Sequence, residues 1–204
     1  QVARFVEPRL LERAVERDVA AGDVDDLRLL AAAIAHGIGT DGDGAFDEAA
    51  RALAQRAATR YGALCVEHFA SDVPLLGARR AAGDSARIIV LVDAATTAGT
   101  GGAPAWMAAL RAVAADADLA LAIFGDAVAF IERHRASLPA AVRATLMPAR
   151  PDIESARSLA SLDPDLLLDL TGPARGIGPL LAARPARRIA TIAGAPHYAP
   201  PLVD

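Results

Sequence analysis

Two stretches near the carboxyl end hold the residues best suited to chemistry. In "DLLLDLTGPARGIG" (165–178) an apolar run closes on Asp169 and Thr171, and Arg175 follows among glycines. A threonine hydroxyl, a guanidinium and the backbone N–H groups of a starting helix together suit a polar or anionic group. In "GAPHYAPP" (194–201) His197 stands among small residues and prolines. A histidine there serves as a general base when its partner lies within hydrogen-bond reach. Each stretch also has a plainer reading. Glycines after a strand make turns, and a proline-rich segment is a linker leaving a domain. Both pairs of readings stay open at this level.

Other combinations fail on spacing or position. "GTGGAP" (99–104) is not a dinucleotide fingerprint, because Pro104 replaces the last glycine and the loop begins several residues after an apolar run. Asp126, after a second apolar run, is the one feature that keeps an NAD-binding alternative open. All 21 basic residues are arginine, so Schiff-base chemistry and a phosphate-loop lysine are excluded. "DGDG" (41–44) lacks the remaining ligands and the glycine of a calcium loop. The pairs Asp116/Asp118 and Asp163/Asp165 precede apolar runs, which puts them at the wrong edge of a sheet and predicts solvated caps. "CVEH" places Cys65 and His68 one helical turn apart with no second pair, which predicts a packed cysteine beside a surface histidine rather than a metal site. His36 and His134 have no partner in view, and no G-x-S-x-G elbow occurs. No metal site is expected.

These residues must be carried by elements, and the pattern of elements is clear. Over roughly the first 82 residues the apolar spacing is helical: Leu27, Leu30, Ile34 and Ile38, then Phe46, Leu53, Ala57, Tyr61 and Leu64. Between them "GTDGDG" turns the chain, with Asp43 or Gly44 available to cap the second helix. From about Ser85 short apolar runs alternate with helical segments. The runs are 87–93, 119–125, a weaker one at 144–149, 165–172 and 188–194; the helices are about 104–115, 126–137, 152–161 and 176–183. Strands apolar throughout, alternating with helices, predict a parallel sheet covered on both faces. The fold class is α/β, a Rossmann-like doubly wound sheet of about five strands (83–204) preceded by an α-helical region (1–82). With strand order 3-2-1-4-5 the order reverses between the first and fourth strands, where such sheets take ligands. The loops leaving those two strands are "DAATTAGTGG" (93–102) and "TGPARGIG" (171–178), both glycine-rich.

Composition narrows the class further. The chain has 204 residues, 53% hydrophobic and only 4% aromatic, with a formal charge of −4. No basic stripe with interleaved aromatics points to nucleic acid, and no apolar run is long enough to span a membrane. One cysteine, Cys65, precludes an internal disulfide; with no signal-peptide pattern at the start, this predicts a cytoplasmic setting. The absence of an initiating Met and the stop after "PHYAPPLVD" suggest a fragment of something longer.

The last forty residues resemble a known family. "DPDLLLDLTGPARGIGPLLAARPARRIATIAGAPHY" is similar to the amino-terminal catalytic lobe of O-GlcNAc-transferase-like glycosyltransferases. Asp169, Leu170 and Gly172 match that family's Asp-Leu-x-Gly-His-Thr strand. Arg184, Pro185 and Ala186 match its Arg-Pro-Ala-Pro helix end, and Gly194 and Pro196 match its Gly-Tyr-Pro-Gly-Thr turn. The resemblance implies a GT-B-type fold with this chain as the first lobe. It implies inverting transfer from a UDP-sugar donor to a protein or small-molecule acceptor, with no cofactor and no essential metal. It also implies substrate contacts at Gly172, Gly194 and Pro196, beside Thr171 and Arg175; His197, the catalytic candidate on position alone, stands with Ala195 where the family has glycine and tyrosine. The helical region would meet a protein partner. Two further departures stand out. Pro173 occupies the family's histidine position, and the loop 93–102 has no histidine. They favour the alternative, a non-catalytic Rossmann-like interaction or assembly protein.

Overall fold

The computed structural model describes residues 59–70, 75–76, 84–95, 105–140, 142–148, 152–171, 176–191 and 202–204. Within them lie five strands and five helical segments. The strands are β1 (Ala86–Asp93), β2 (Ala117–Phe124), β3 (Arg143–Met147), β4 (Leu166–Asp169) and β5 (Arg188–Thr191). The helices are α1 (59–69), α2 (Ala105–Val113), α3 (Ala127–His134), α4 (Ile153–Ala160) and α5 (Gly178–Ala182). All strand pairs are parallel, and their order is β3-β2-β1-β4-β5. Parallel neighbours cannot be joined by a hairpin, so each connection crosses over through a helical segment.

Side chains alternate across each strand, and each face has its own core. On one face Ile89, Leu91, Phe124, Leu167 and Ile189 pack with α1, α4 and α5. On the other Val90, Val92, Leu121 and Ile123 pack with Met107 and Leu110 of α2 and Phe130 of α3. This double covering explains why the central strands carry no polar alternation: β1 and β2 have no solvent face to supply. The architecture is the α/β, doubly wound, Rossmann-like one anticipated.

The helix starts have local causes. Asp126 caps α3 by accepting the Ala129 N–H at 2.9 Å. Asp152 and Ser155 form a reciprocal capping box on α4. The helical stripe predicted through Tyr61 and Leu64 also holds: both are buried, with Cys65, beneath the sheet's first face. The described end of the amino-terminal helical region therefore shares its core with the α/β domain. The rest of that region, including the Leu27–Ile38 stripe, the Asp43 or Gly44 cap, "DGDG" and His36, lies outside the described residues.

At the amino-terminal edge of the sheet the aspartate pairs differ from expectation. Asp118, Asp163 and Asp165 are not simply solvated. Asp118 pairs with Arg143 at 2.6 Å, Asp163 with Arg187 at 2.7 Å, and Asp165 accepts the Arg87 N–H at 2.9 Å. Crossovers bring the starts of all five strands to one edge, so arginines distant in sequence meet these carboxylates there.

Candidate functional site

The strand order reverses between β1 and β4, so the crevice beyond their carboxyl ends is where this fold accommodates a ligand. Each of the two strands ends in an aspartate. Asp93 shares a face with Ile89 and Leu91, and Asp169 shares that same face with Leu167. Leu91 is in register with Asp169, and Asp169 in turn with Thr191, so β5 ends level with Asp169.

Both carboxylates are buried: Asp93 is 9% exposed and Asp169 0%. A carboxylate so placed needs hydrogen bonds to offset its lost hydration. Asp93 accepts the Ala95 N–H at 2.9 Å. Asp169 accepts the Thr171 N–H at 2.7 Å and its hydroxyl at 2.8 Å, both on Oδ1. The two loops thus leave the sheet through the same device, an aspartate that folds the next residues back over itself. Sequence reasoning noted Asp169 as the end of its apolar run and in a motif match but gave it no role, and passed over Asp93. The available signal was an apolar strand ending in aspartate twice, "VLVD" and "LLLD".

Of the anticipated site residues, Thr171 is within the described structure. It is half-buried, and both of its donors are committed to Asp169. Thr171 therefore offers a ligand its hydroxyl lone pairs rather than a proton. Gly172, Arg175, Gly194, Pro196 and His197 lie outside the described residues, as does most of the 93–102 loop. The described residues on either side of 192–201 belong to the domain. β5 ends at Thr191, and Leu202 and Val203 are part of the core. Asp204 then brackets Ile189: its N–H donates to the Ile189 carbonyl at 2.9 Å, and its carboxylate accepts the Ile189 N–H at 2.7 Å. Burial would raise the Asp204 pKa, but hydrogen bonds from Arg184 and Ile189 and the nearby arginine charges more than offset it, leaving it below the usual value.

Two glycines of the opening stretch have structural duties. Gly176 takes φ +67°, the left-handed region where glycine carries no steric penalty. At Gly178 an added Cβ would lie 2.5 Å from Cys65 Sγ and 2.6 Å from Tyr61 Cε1, so only glycine lets α5 approach α1. Gly176, Ile177 and Gly178 are all buried. The start of α5 is thus enclosed beneath α1, and the anion-holding role anticipated for its N–H groups has no open position at these residues.

The rejected motifs end as follows. Cys65 is fully buried, and burial pushes its thiol up to about 12 despite a hydrogen bond with Tyr61; His68 is exposed. Asp126 is occupied as the α3 cap. Among the described residues no three histidine, cysteine, aspartate or glutamate side chains gather as metal ligands, and no helix is long and apolar enough to cross a membrane.

No family model matches the chain, and no curated protein matches it. Among solved structures the chain is similar to a mutant O-GlcNAc transferase of Thermobaculum terrenum, with a TM-score of 0.43 and 17% identity. The match covers 91% of this chain and 37% of that one, so the chain spans little more than a third of that transferase's length.

Proposed function

We propose that this chain is the first, Rossmann-like lobe of a two-lobed GT-B-type glycosyltransferase that moves a sugar from a UDP-sugar donor to a protein or small-molecule acceptor. The observation that carries the reading is the position of the Asp-Leu-x-Gly stretch. Asp169 and Leu170 stand at the end of β4, beside β1, where the sheet order reverses. A family-like motif on a sheet edge remote from that crevice would have had no such meaning.

In this reading the lobe supplies the acceptor-facing wall of a cleft. Thr171 accepts hydrogen bonds from substrate hydroxyls, Arg175 holds a negative group, and Gly172, Gly194 and Pro196 let the substrate approach the backbone. His197 removes the proton from the attacking hydroxyl or amide as that group bonds to the sugar's anomeric carbon with inversion, the anomeric bond to phosphate breaks and UDP leaves. No cofactor takes part. A second reading, a non-catalytic interaction or assembly protein with a partner on the helical region, is favoured by Pro173 at the family's histidine position and by the histidine-free loop 93–102.

The test is UDP-sugar titration against the full-length protein and against this chain alone. Transfer is expected only where a second lobe is present; saturable turnover by this chain alone overturns the two-lobe reading. In the full-length protein His197→Ala and Arg175→Ala are expected to abolish or strongly reduce turnover. Full turnover in both variants would make these residues structural. Absence of both binding and transfer in the full-length protein would support the assembly reading.

A further inference from the structure

The edge strand β3 breaks the rule that a parallel sheet is covered on both faces. Four of its five residues, Arg143 to Leu146, are exposed, and only Met147 is buried. The opposite edge is different, because Asp204 brackets Ile189 on β5. Of the five large exposed apolar side chains among the described residues, three lie on β3 or on the helices that precede and follow it. Leu146 on the strand is 64% exposed, Val128 on the adjoining α3 is 68% exposed, and Ile153 at the start of α4 is 36% exposed. An uncovered strand edge with apolar side chains is a template for pairing with another strand.

We infer that β3 pairs antiparallel with β3 of a second copy of this chain, joining the two sheets across a two-fold axis at Thr145. The charges around the strand fit a second copy. Met147 packs on the face shared with α4, so alternation puts Arg143 and Thr145 on that face and Ala144 and Leu146 on the other. In a pairing centred on Thr145, Arg143 of one copy lies across from Met147 of the other, and Leu146 from Ala144. Beside Met147 a groove of about 450 Å³ runs between β3 and α4, lined by Leu159 and Leu162, with Asp152 and Glu154 at the amino end of α4. The Arg143 stem lies along that apolar lining and its guanidinium reaches Glu154. Arg143 already pairs with Asp118 but keeps a side chain 58% exposed, and Glu154 is 68% exposed beside Arg157, so each has capacity for a further partner. The two-fold axis makes this contact twice, and only a second copy carries both halves of it.

The test is sedimentation velocity of the chain over a wide concentration range. A reversible monomer–dimer equilibrium is expected. Arg143→Glu and Glu154→Arg should each weaken it by about tenfold, since two attractive pairs become repulsive. An equimolar mixture of the two variants should recover the lost affinity, because the mixed dimer restores opposite charges at both contacts. Leu146→Asp, at an exposed position where folding is not at stake, should abolish the dimer. A monomer at every concentration, a dimer indifferent to Leu146→Asp, or a mixture no tighter than its components overturns the inference.

Discussion

Replacing Gly178 with alanine tests how α1, α5 and the sheet share one core. The new Cβ would lie 2.5 Å from Cys65 Sγ and 2.6 and 2.7 Å from two Tyr61 ring carbons. Unstrained contacts of this kind are nearer 3.5–4 Å, so the helices must separate by on the order of 1 Å. Neither neighbour can swing aside, because Cys65 is 0% and Tyr61 1% exposed. Overpacking of this type costs about 1–3 kcal/mol, and a clash with two rigid partners belongs at the upper end. Alanine's better helix propensity returns at most about 1 kcal/mol, which leaves a net loss of roughly 2 kcal/mol. For a domain of this size that is a fall of about 4–8 °C in Tm. Urea denaturation followed by circular dichroism, with an unchanged m-value, measures it. Adding Cys65→Ala removes Sγ from the clash, so the double variant should be less destabilised than the sum of the singles. A Gly178→Ala protein as stable as the parent, with additive singles, would refute the close approach of α5 to α1.

Three further outcomes follow from individual residues. Cys65, buried and with its thiol pushed up to about 12, should react with a thiol reagent in the native state only at the rate of unfolding; rapid labelling would contradict its place in the core. Asp169→Ala leaves the Thr171 N–H and hydroxyl without their acceptor and should cost about 2–3 kcal/mol in urea unfolding, whereas Asp169→Asn, which keeps an acceptor oxygen, should cost less. His134 is 4% exposed, tilted against Phe130 with ring centroids 4.9 Å apart, and its Nε2 has no partner among the described residues. Burial, aided by the charge on Arg133, lowers its pKa below the usual 6.5. The unfolded chain then binds this proton more readily than the folded one. Stability is complete above pH 6.5 and declines as pH falls from there toward the folded-state pKa. His134→Leu should flatten that part of the Tm–pH curve, and an unchanged slope would place the linkage elsewhere.

The periodicity of the chain was enough to determine its layers. Unbroken apolar runs such as "RIIVLVD" and "LALAIFG", spaced by helical segments, admit little besides a parallel sheet covered on both faces, because only burial on both sides suits strands without polar alternation. The crevice followed from that, as strand order sets where loops diverge. What sequence spacing could not show was which distant groups meet. Gly178 reads locally as a turn residue, yet its requirement comes from Cys65 and Tyr61, more than a hundred positions away. The aspartates at the start of β2 and before β4 read as lone caps until the crossovers bring Arg87, Arg143 and Arg187 to the same edge. Thr171 reads as a free donor, but Asp169, held at full burial between β1 and β5, accepts both of its hydrogen bonds. Local pattern records how each segment must be buried; only the packed chain decides which polar groups are left to act on anything else.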